Sequence, residues 1–208
     1  VAVVADEGAI TYAALDRRAN QLAHHLRGLG LQPRERVAVC LGPSLDMVVA
    51  QLAVLKAGAA CVPMDPDHPA DRVTFMLADA GAAVVLTHLD IAVRLHTDAI
   101  VLALDAAGEA LDERPITPPA AAIGPDDPAC LIYTVGSTGR PTGAIYTHRA
   151  IVNGRNTPAG AGLPATPPRG DVPAGEFLAT FPHRLRTDGT ARLAAPHGTP
   201  GRVSQVTR

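Results

Sequence analysis

The order of three segments between Arg36 and Met64 limits the possible folds more than any other feature of the sequence. "RVAVCL" (Arg36 to Leu41) is a short, continuous apolar run of the kind that fills a strand buried on both faces. Ser44 then stands where a helix needs its N-cap, "LDMVVAQLAVLKA" supplies an apolar helix, and Gly58 stops it before a second apolar strand, "AACVPM". Strand, helix and strand in that order imply a right-handed crossover and a parallel sheet.

The same alternation runs on in both directions. Pro69 at a first helical turn opens "ADRVTFMLADA", Gly81 closes it, and "AAVVLT" and "AIVLAL" (Ala99 to Leu104) supply two more strands. Upstream, "VAVVA" and "AITY" flank Asp6, Glu7 and Gly8 as two short strands around a tight turn. Thr11 caps a helix that carries Leu15, Ala19, Leu22 and Leu26 on one face and ends at Gly28 or Gly30. The expected fold class is α/β, a partly parallel sheet flanked by helices, with the chain's 208 residues divided into one domain and an appendage. Aromatic residues are only 3% of the chain and Trp is absent, so the core has to be assembled from Ala, Val, Leu and Ile.

Charge and cysteine usage exclude some classes of function. A formal charge of -2 argues against a protein that works by neutralising nucleic-acid phosphates. No apolar run approaches the roughly 20 residues that cross a bilayer, and the first residues lack the pattern of a cleavable leader. Cys40, Cys61 and Cys130 are far apart, each within an apolar strand pattern, and read as buried reduced thiols of a cytoplasmic protein. His24 and His25 have no acidic or Cys partner nearby and are expected at the surface rather than as ligands. The sequence opens on Val rather than Met, as a fragment would.

Residues 105–127 are rich in Ala and Pro and read as a surface connection into the strand "ACLIYT" (Ala129 to Thr134). After Asn153 the character changes. From Gly154 to Arg208, Gly, Pro, Ala, Arg and Thr make up 38 of 55 residues, and seven Arg face only three acids. So little apolar material does not offset the entropy of ordering the segment. The expected domains are therefore 1–153 and a 154–208 tail, disordered or translated out of frame.

The stretch "YTVGSTGRPTG" (Tyr133 to Gly143) leaves the end of that strand. Glycines let a backbone approach a phosphate, successive N–H groups can form an anion-binding nest, and Ser137 and Thr138 add hydroxyl donors. The Gly-Lys-Ser/Thr ending of the common P-loop is missing, and no helix opens directly after the glycines as in a dinucleotide fingerprint. On physics alone the stretch is either a phosphate clamp or a flexible turn. "AIYTH" reads as the second arm of a hairpin and "RAIVN" as the start of a helix.

In context, "YTVGSTGRPTG" resembles the phosphate-loop signature of the adenylate-forming (AMP-binding) ligases, Y-T-S-G-S-T-G-x-P-K-G. "LKAGAACVPMDPDHPADRVTFMLADAGAAVVLT" (Leu55 to Thr87) is similar to a block of nonribosomal peptide synthetase adenylation domains, and "ITYAALDRRANQLAHHLRGLGL" to their opening helix. The three blocks stand in the family's order over residues 1–153. The resemblance implies ATP with Mg2+ as cofactors and an amino acid as substrate, whose carboxylate is joined to the α-phosphate as pyrophosphate leaves. It also implies a phosphopantetheinyl carrier protein as the partner that receives the product. On it, Thr134, Gly136, Ser137, Thr138 and Gly139 correspond to the residues that wrap the phosphates. No residue of the chain takes a catalytic or metal-ligating role, and Asp65 and Asp67 are expected to form turns and cap a helix.

Two loop positions depart from the pattern, with Val135 in place of Ser and Thr142 in place of Lys. Downstream, the family's amino-acid pocket, acidic metal site, ribose-binding aspartate and mobile C-terminal domain with its lysine are not legible. The expectation is thus an N-terminal fragment, inactive alone. The rival is a non-enzymatic binding or docking module built on the same sheet.

Overall fold

The structure is a computed structural model and describes residues 1–135, 141–156 and 191–192. Strands β1 (Val3–Ala5) and β2 (Gly8–Ile10) form an antiparallel hairpin, and β9 (Ala191–Arg192) lies parallel on the other side of β1. The main sheet holds β3 (Arg36–Cys40), β4 (Ala60–Met64), β5 (Val84–Thr87), β6 (Ile100–Ala103), β7 (Pro128–Val135) and β8 (Pro141–Thr147) in the order β6-β5-β3-β4-β7-β8. Every neighbouring pair is parallel except β7 and β8. The expected α/β class with a partly parallel sheet is what the chain adopts.

The local signals act where the sequence puts them. Helix α1 (Tyr12–Gly28) starts at Thr11, whose Oγ1 accepts the Ala14 N–H at 3.2 Å, and α2 (Leu45–Ala57) starts at Ser44, whose Oγ accepts the Met47 N–H at 3.1 Å. Gly58 ends α2 at φ 87°, a left-handed conformation that glycine adopts without the Cβ penalty. Helix α3 (Ala70–Ala80) follows Pro69 directly, and the Asp65 carboxylate accepts the Asp67 N–H at 2.9 Å, the turn-forming duty expected of it.

Two layers cover the sheet. On one face Val37, Val39, Cys61, Val84 and Leu86 pack with Leu15, Ala19, Leu22 and Leu26 of α1 and with Val49, Ala53 and Val54 of α2. On the other, Ala38, Cys40, Val62, Met64, Val85 and Leu131 pack with Val73, Met76 and Leu77 of α3. Alternate strand residues go to opposite faces, which is why each strand reads as one unbroken apolar run. All three cysteines are free and buried. The shorter helices α4 (Leu89–Ala92) and α5 (Gly108–Asp112) fill connections, and α6 (His148–Asn156) follows β8. Among the described residues no helix is long and apolar enough to cross a membrane.

The histidine expectation needs correction. His24 and His25 are half-buried because the connection after α5 lies along α1. The His24 ring nitrogen Nε2 sits 2.9 Å from the Thr117 carbonyl, and the Asn20 and Gln21 amides donate to the Ile116 and Asp112 carbonyls at 2.7 and 3.0 Å. Arg27 donates to the Ala120 carbonyl. Four polar side chains of one helix thus satisfy carbonyls of a connection that has no ladder of its own. Burial, and next to it the Arg114 charge, holds the His25 imidazole below its ordinary pKa.

Candidate functional site

The hairpin of β7 and β8 carries the stretch singled out in the sequence. Its pairs run Tyr133↔Gly143, Thr134↔Thr142 and Val135↔Pro141, so both strands deliver residues 136–140 from one end of the hairpin. Of the proposed phosphate-wrapping residues, Thr134 is described: it is buried, 9% exposed, two positions before the loop. Gly136, Ser137, Thr138 and Gly139 lie outside the described residues. Thr142 is exposed opposite Thr134, so the position where the signature has lysine opens to solvent beside the loop.

The hairpin packs closely on its own account. A Cβ at Gly143 would sit 2.9 Å from the Leu131 Cδ1 and 3.3 Å from the Cε1 and Cζ of the Tyr133 ring, so glycine lets the cross-strand ring lie over β8. The Tyr133 hydroxyl donates to the Asp79 carboxylate on α3 at 2.6 Å. Burial first, then the Asp79 hydrogen bond and charge, push the phenol's pKa up, so the group stays a donor. Behind β8, Cys130, Ile132, Ala144 and Tyr146 form a small cluster against Ala150 and Ile151 of α6.

A polar knot fixes the root of β7. The Asp127 carboxylate accepts from Arg34 at 2.6 Å and from the Gly124 N–H at 2.8 Å, and the Asp127 carbonyl accepts the His148 N–H at 3.1 Å. The Arg34 hydrogen bond, with the Gly124 N–H next, holds the Asp127 carboxyl below its usual range. Asp126 is lowered in the same way by Arg149, which donates to both of its oxygens at 2.8 and 3.0 Å. The Arg149–Asp126 pair is solvent-exposed and the Arg34–Asp127 pair is exposed on its arginine side, so both act as locators more than as sources of stability.

The carboxyl ends of β3 and β5 hold polar groups that partner one another. The Thr87 hydroxyl donates to the Cys40 carbonyl at 2.9 Å, and Asp46 joins His88 at 3.0 Å and Arg18 at 2.7 Å. Among the described residues no group of three or more His, Cys, Asp or Glu stands together to hold a metal ion. The hairpin end brings the buried Thr134 and the exposed Thr142 to either side of the glycine-rich stretch. The Tyr133–Asp79 bond is the feature that sequence reasoning missed. Its partners are 54 positions apart on different elements, and no local pattern announces it.

Comparison with known proteins bears on this site. The model of the "AMP-binding enzyme" family matches residues 1–171. A linear gramicidin synthase of Brevibacillus parabrevis is 46% identical over 154 residues, which is 74% of this chain and 2% of that protein. Phosphinothricin tripeptide synthetase PhsB of Streptomyces viridochromogenes is 42% identical over 209 aligned positions, 95% of this chain and 17% of its own length, so the likeness extends past Asn153. The AMPPNP-bound crystal structure of the nonribosomal peptide synthetase FmoA3 superposes with a TM-score of 0.67 at 32% identity, covering 74% of this chain and 16% of that one. The chain thus spans a small part of the proteins it matches.

Proposed function

The chain belongs to the AMP-binding enzyme family, and from that premise we propose that it is the N-terminal, nucleotide-gripping portion of an amino-acid adenylation domain. In the reaction of such a domain, a carboxylate oxygen of the amino acid attacks the α-phosphorus of ATP. The bond to the β-phosphate oxygen breaks and pyrophosphate leaves. The product is an aminoacyl-adenylate, whose acyl group then passes to the phosphopantetheine thiol of a carrier protein. Mg2+, bound with the nucleotide, would spread the charge of the phosphates.

The part assigned to this chain is to hold and orient the triphosphate. Thr134, Gly136, Ser137, Thr138 and Gly139 would surround it, with hydroxyls and backbone N–H groups turned to oxygens that gain charge as pyrophosphate departs. The observation that carries the reading is the β7–β8 hairpin, which brings a buried Thr134 to the base of a Gly-Ser-Thr-Gly loop within the family match. Exposure of Thr142 at the lysine position makes the grip weaker than in a loop of the full signature. Groups that hold the amino acid have no assigned residues here, so we assign the chain alone no adenylating activity.

Calorimetric titration with ATP and Mg2+ tests the grip, and amino-acid-dependent ATP–pyrophosphate exchange tests the activity. Saturable ATP binding is expected, and it should weaken in Gly136→Val, where a side chain obstructs the backbone's approach. Absent binding, or equal binding by that variant, would overturn the reading. Exchange above background with any amino acid would overturn the inactivity of the chain alone.

A further inference from the structure

The end of the hairpin that carries the loop has its registered ladder on one side. β7 registers with β4 through a single pair, Cys61↔Cys130, so from Leu131 to Val135 it has a registered partner only in β8. Among the described residues β8 has no strand on its outer side. Two-stranded ribbons twist and bend readily. Side-chain contacts on both faces therefore add to what the ladder fixes.

The side chains of Leu131 and Tyr133 pack on the face covered by α3. Its ring lies over Gly143 on β8, 3.3 Å from where a Cβ would stand, and its hydroxyl is 2.6 Å from the Asp79 Oδ2 on α3. One residue therefore touches three elements: its own strand, the returning strand, and a helix anchored in the main core. We propose that Tyr133 is a positioning residue for the nucleotide loop, fastening both strands that carry the loop to α3 through Asp79 and Gly143. The inference rests on the nucleotide-gripping function proposed above. A ring without the hydroxyl would fill the same space, so the contribution specific to tyrosine is the bond that fixes the ribbon's direction relative to α3.

Amide hydrogen exchange, followed by NMR on the full chain without nucleotide, separates fastening from mere packing. Tyr133→Phe keeps the ring, and Asp79→Ala removes the acceptor. Each should speed exchange at Thr134, Thr142, Gly143 and Ala144 by about fivefold, the loss of one partly exposed charge-assisted hydrogen bond. Val37 to Val39 of β3 should exchange as in the wild type. The double variant should be no faster than either single one, because both remove the same bond. Asp79→Asn, which keeps an acceptor, should restore most of the protection. Unchanged hairpin exchange, equal acceleration in β3, or additive single effects would each overturn the fastening. Titration with ATP and Mg2+ is the second arm, with a dissociation constant about fivefold weaker expected for Tyr133→Phe. Equal ATP binding despite faster hairpin exchange would overturn the positioning role. A wild-type chain that binds no ATP would overturn the nucleotide reading and that role together, while the exchange arm still decides the fastening.

Discussion

Thr142→Lys restores the charge that the loop signature carries, and its effect follows from where Thr142 stands. The residue is exposed on β8 opposite Thr134, so a lysine there would meet a nucleotide phosphate in a solvent-like medium. At a contact distance of about 4 Å in water each pair of unit charges is worth about 1 kcal/mol, or roughly 2 kcal/mol for two phosphate charges. Screening over a Debye length of about 8 Å at physiological salt reduces this to about 1.2 kcal/mol. ATP should then bind about eightfold more tightly at that ionic strength, and only about 2.5-fold more tightly at 1 M salt, where the Debye length is about 3 Å. The fold should barely respond, since lysine on an exposed edge strand costs tenths of a kcal/mol. Calorimetric titration with ATP and Mg2+ at both salt concentrations reads the effect, with Thr142→Gln as the uncharged control. A gain of equal size in the glutamine variant, or one indifferent to salt, would refute the electrostatic reasoning. No gain at all would mean that the hairpin end does not face the phosphates.

The remaining predictions concern the scaffold. His25 has its pKa depressed from an ordinary value of 6.5, so below that pH the unfolded chain takes up a proton that the folded chain resists, and stability falls as pH falls. His25→Leu also removes a buried Nδ1 with no hydrogen-bond partner, and it should make thermal stability less dependent on pH between about 7.5 and 5.5; an unchanged slope would locate the effect elsewhere. Burial pushes the Cys61 thiol up to about 12 and the Cys40 thiol, with a further push from Asp65, to about 11; a thiol reagent near neutral pH should label none of the three buried cysteines until the chain unfolds. Asn20→Ala strips the donor from the Ile116 carbonyl and should cost about 1 to 2 kcal/mol, read as a lower urea midpoint at unchanged m-value. Deleting residues 154–208 tests the proposed boundary: the described core clusters draw on residues from Ala2 to Ile151, so cooperative unfolding should persist although the β1–β9 pairing and the last residues of α6 are removed.

The scaffold was legible because its signals are local. Each expected cap and stop, Thr11, Ser44, Gly58 and Gly81, acts on backbone groups within a few positions of itself. Each strand of the parallel sheet announces itself by a short apolar run that overlaps its ladder. What sequence reasoning could not reach was the use of polar side chains over distance. Asn20 and Gln21 look like the polar face of an amphipathic helix, yet they are buried because the connection after α5 crosses them 91 to 96 positions later. A helical period shows which residues share a face and is silent on what will cover that face. The two histidines were misjudged for the same reason.

The hairpin shows how the two kinds of information divide. Glycines, hydroxyls and their spacing are sequence facts, and they say what a loop can contact. How its strands are held is settled by contacts across the fold: a phenol bonded to α3, a missing Cβ at Gly143, and an arginine, Arg34, brought to the root of β7. In the proposed grip the backbone donors are carried by the two strands, so its strength depends on how firmly those strands are held. Losing the lysine at position 142 makes that dependence steeper, because no mobile positive charge remains at that position to follow a phosphate. The proposed grip and the proposed fastening under it should therefore be coupled: once Thr142→Lys supplies the charge, Tyr133→Phe should cost less ATP affinity than it costs the native loop.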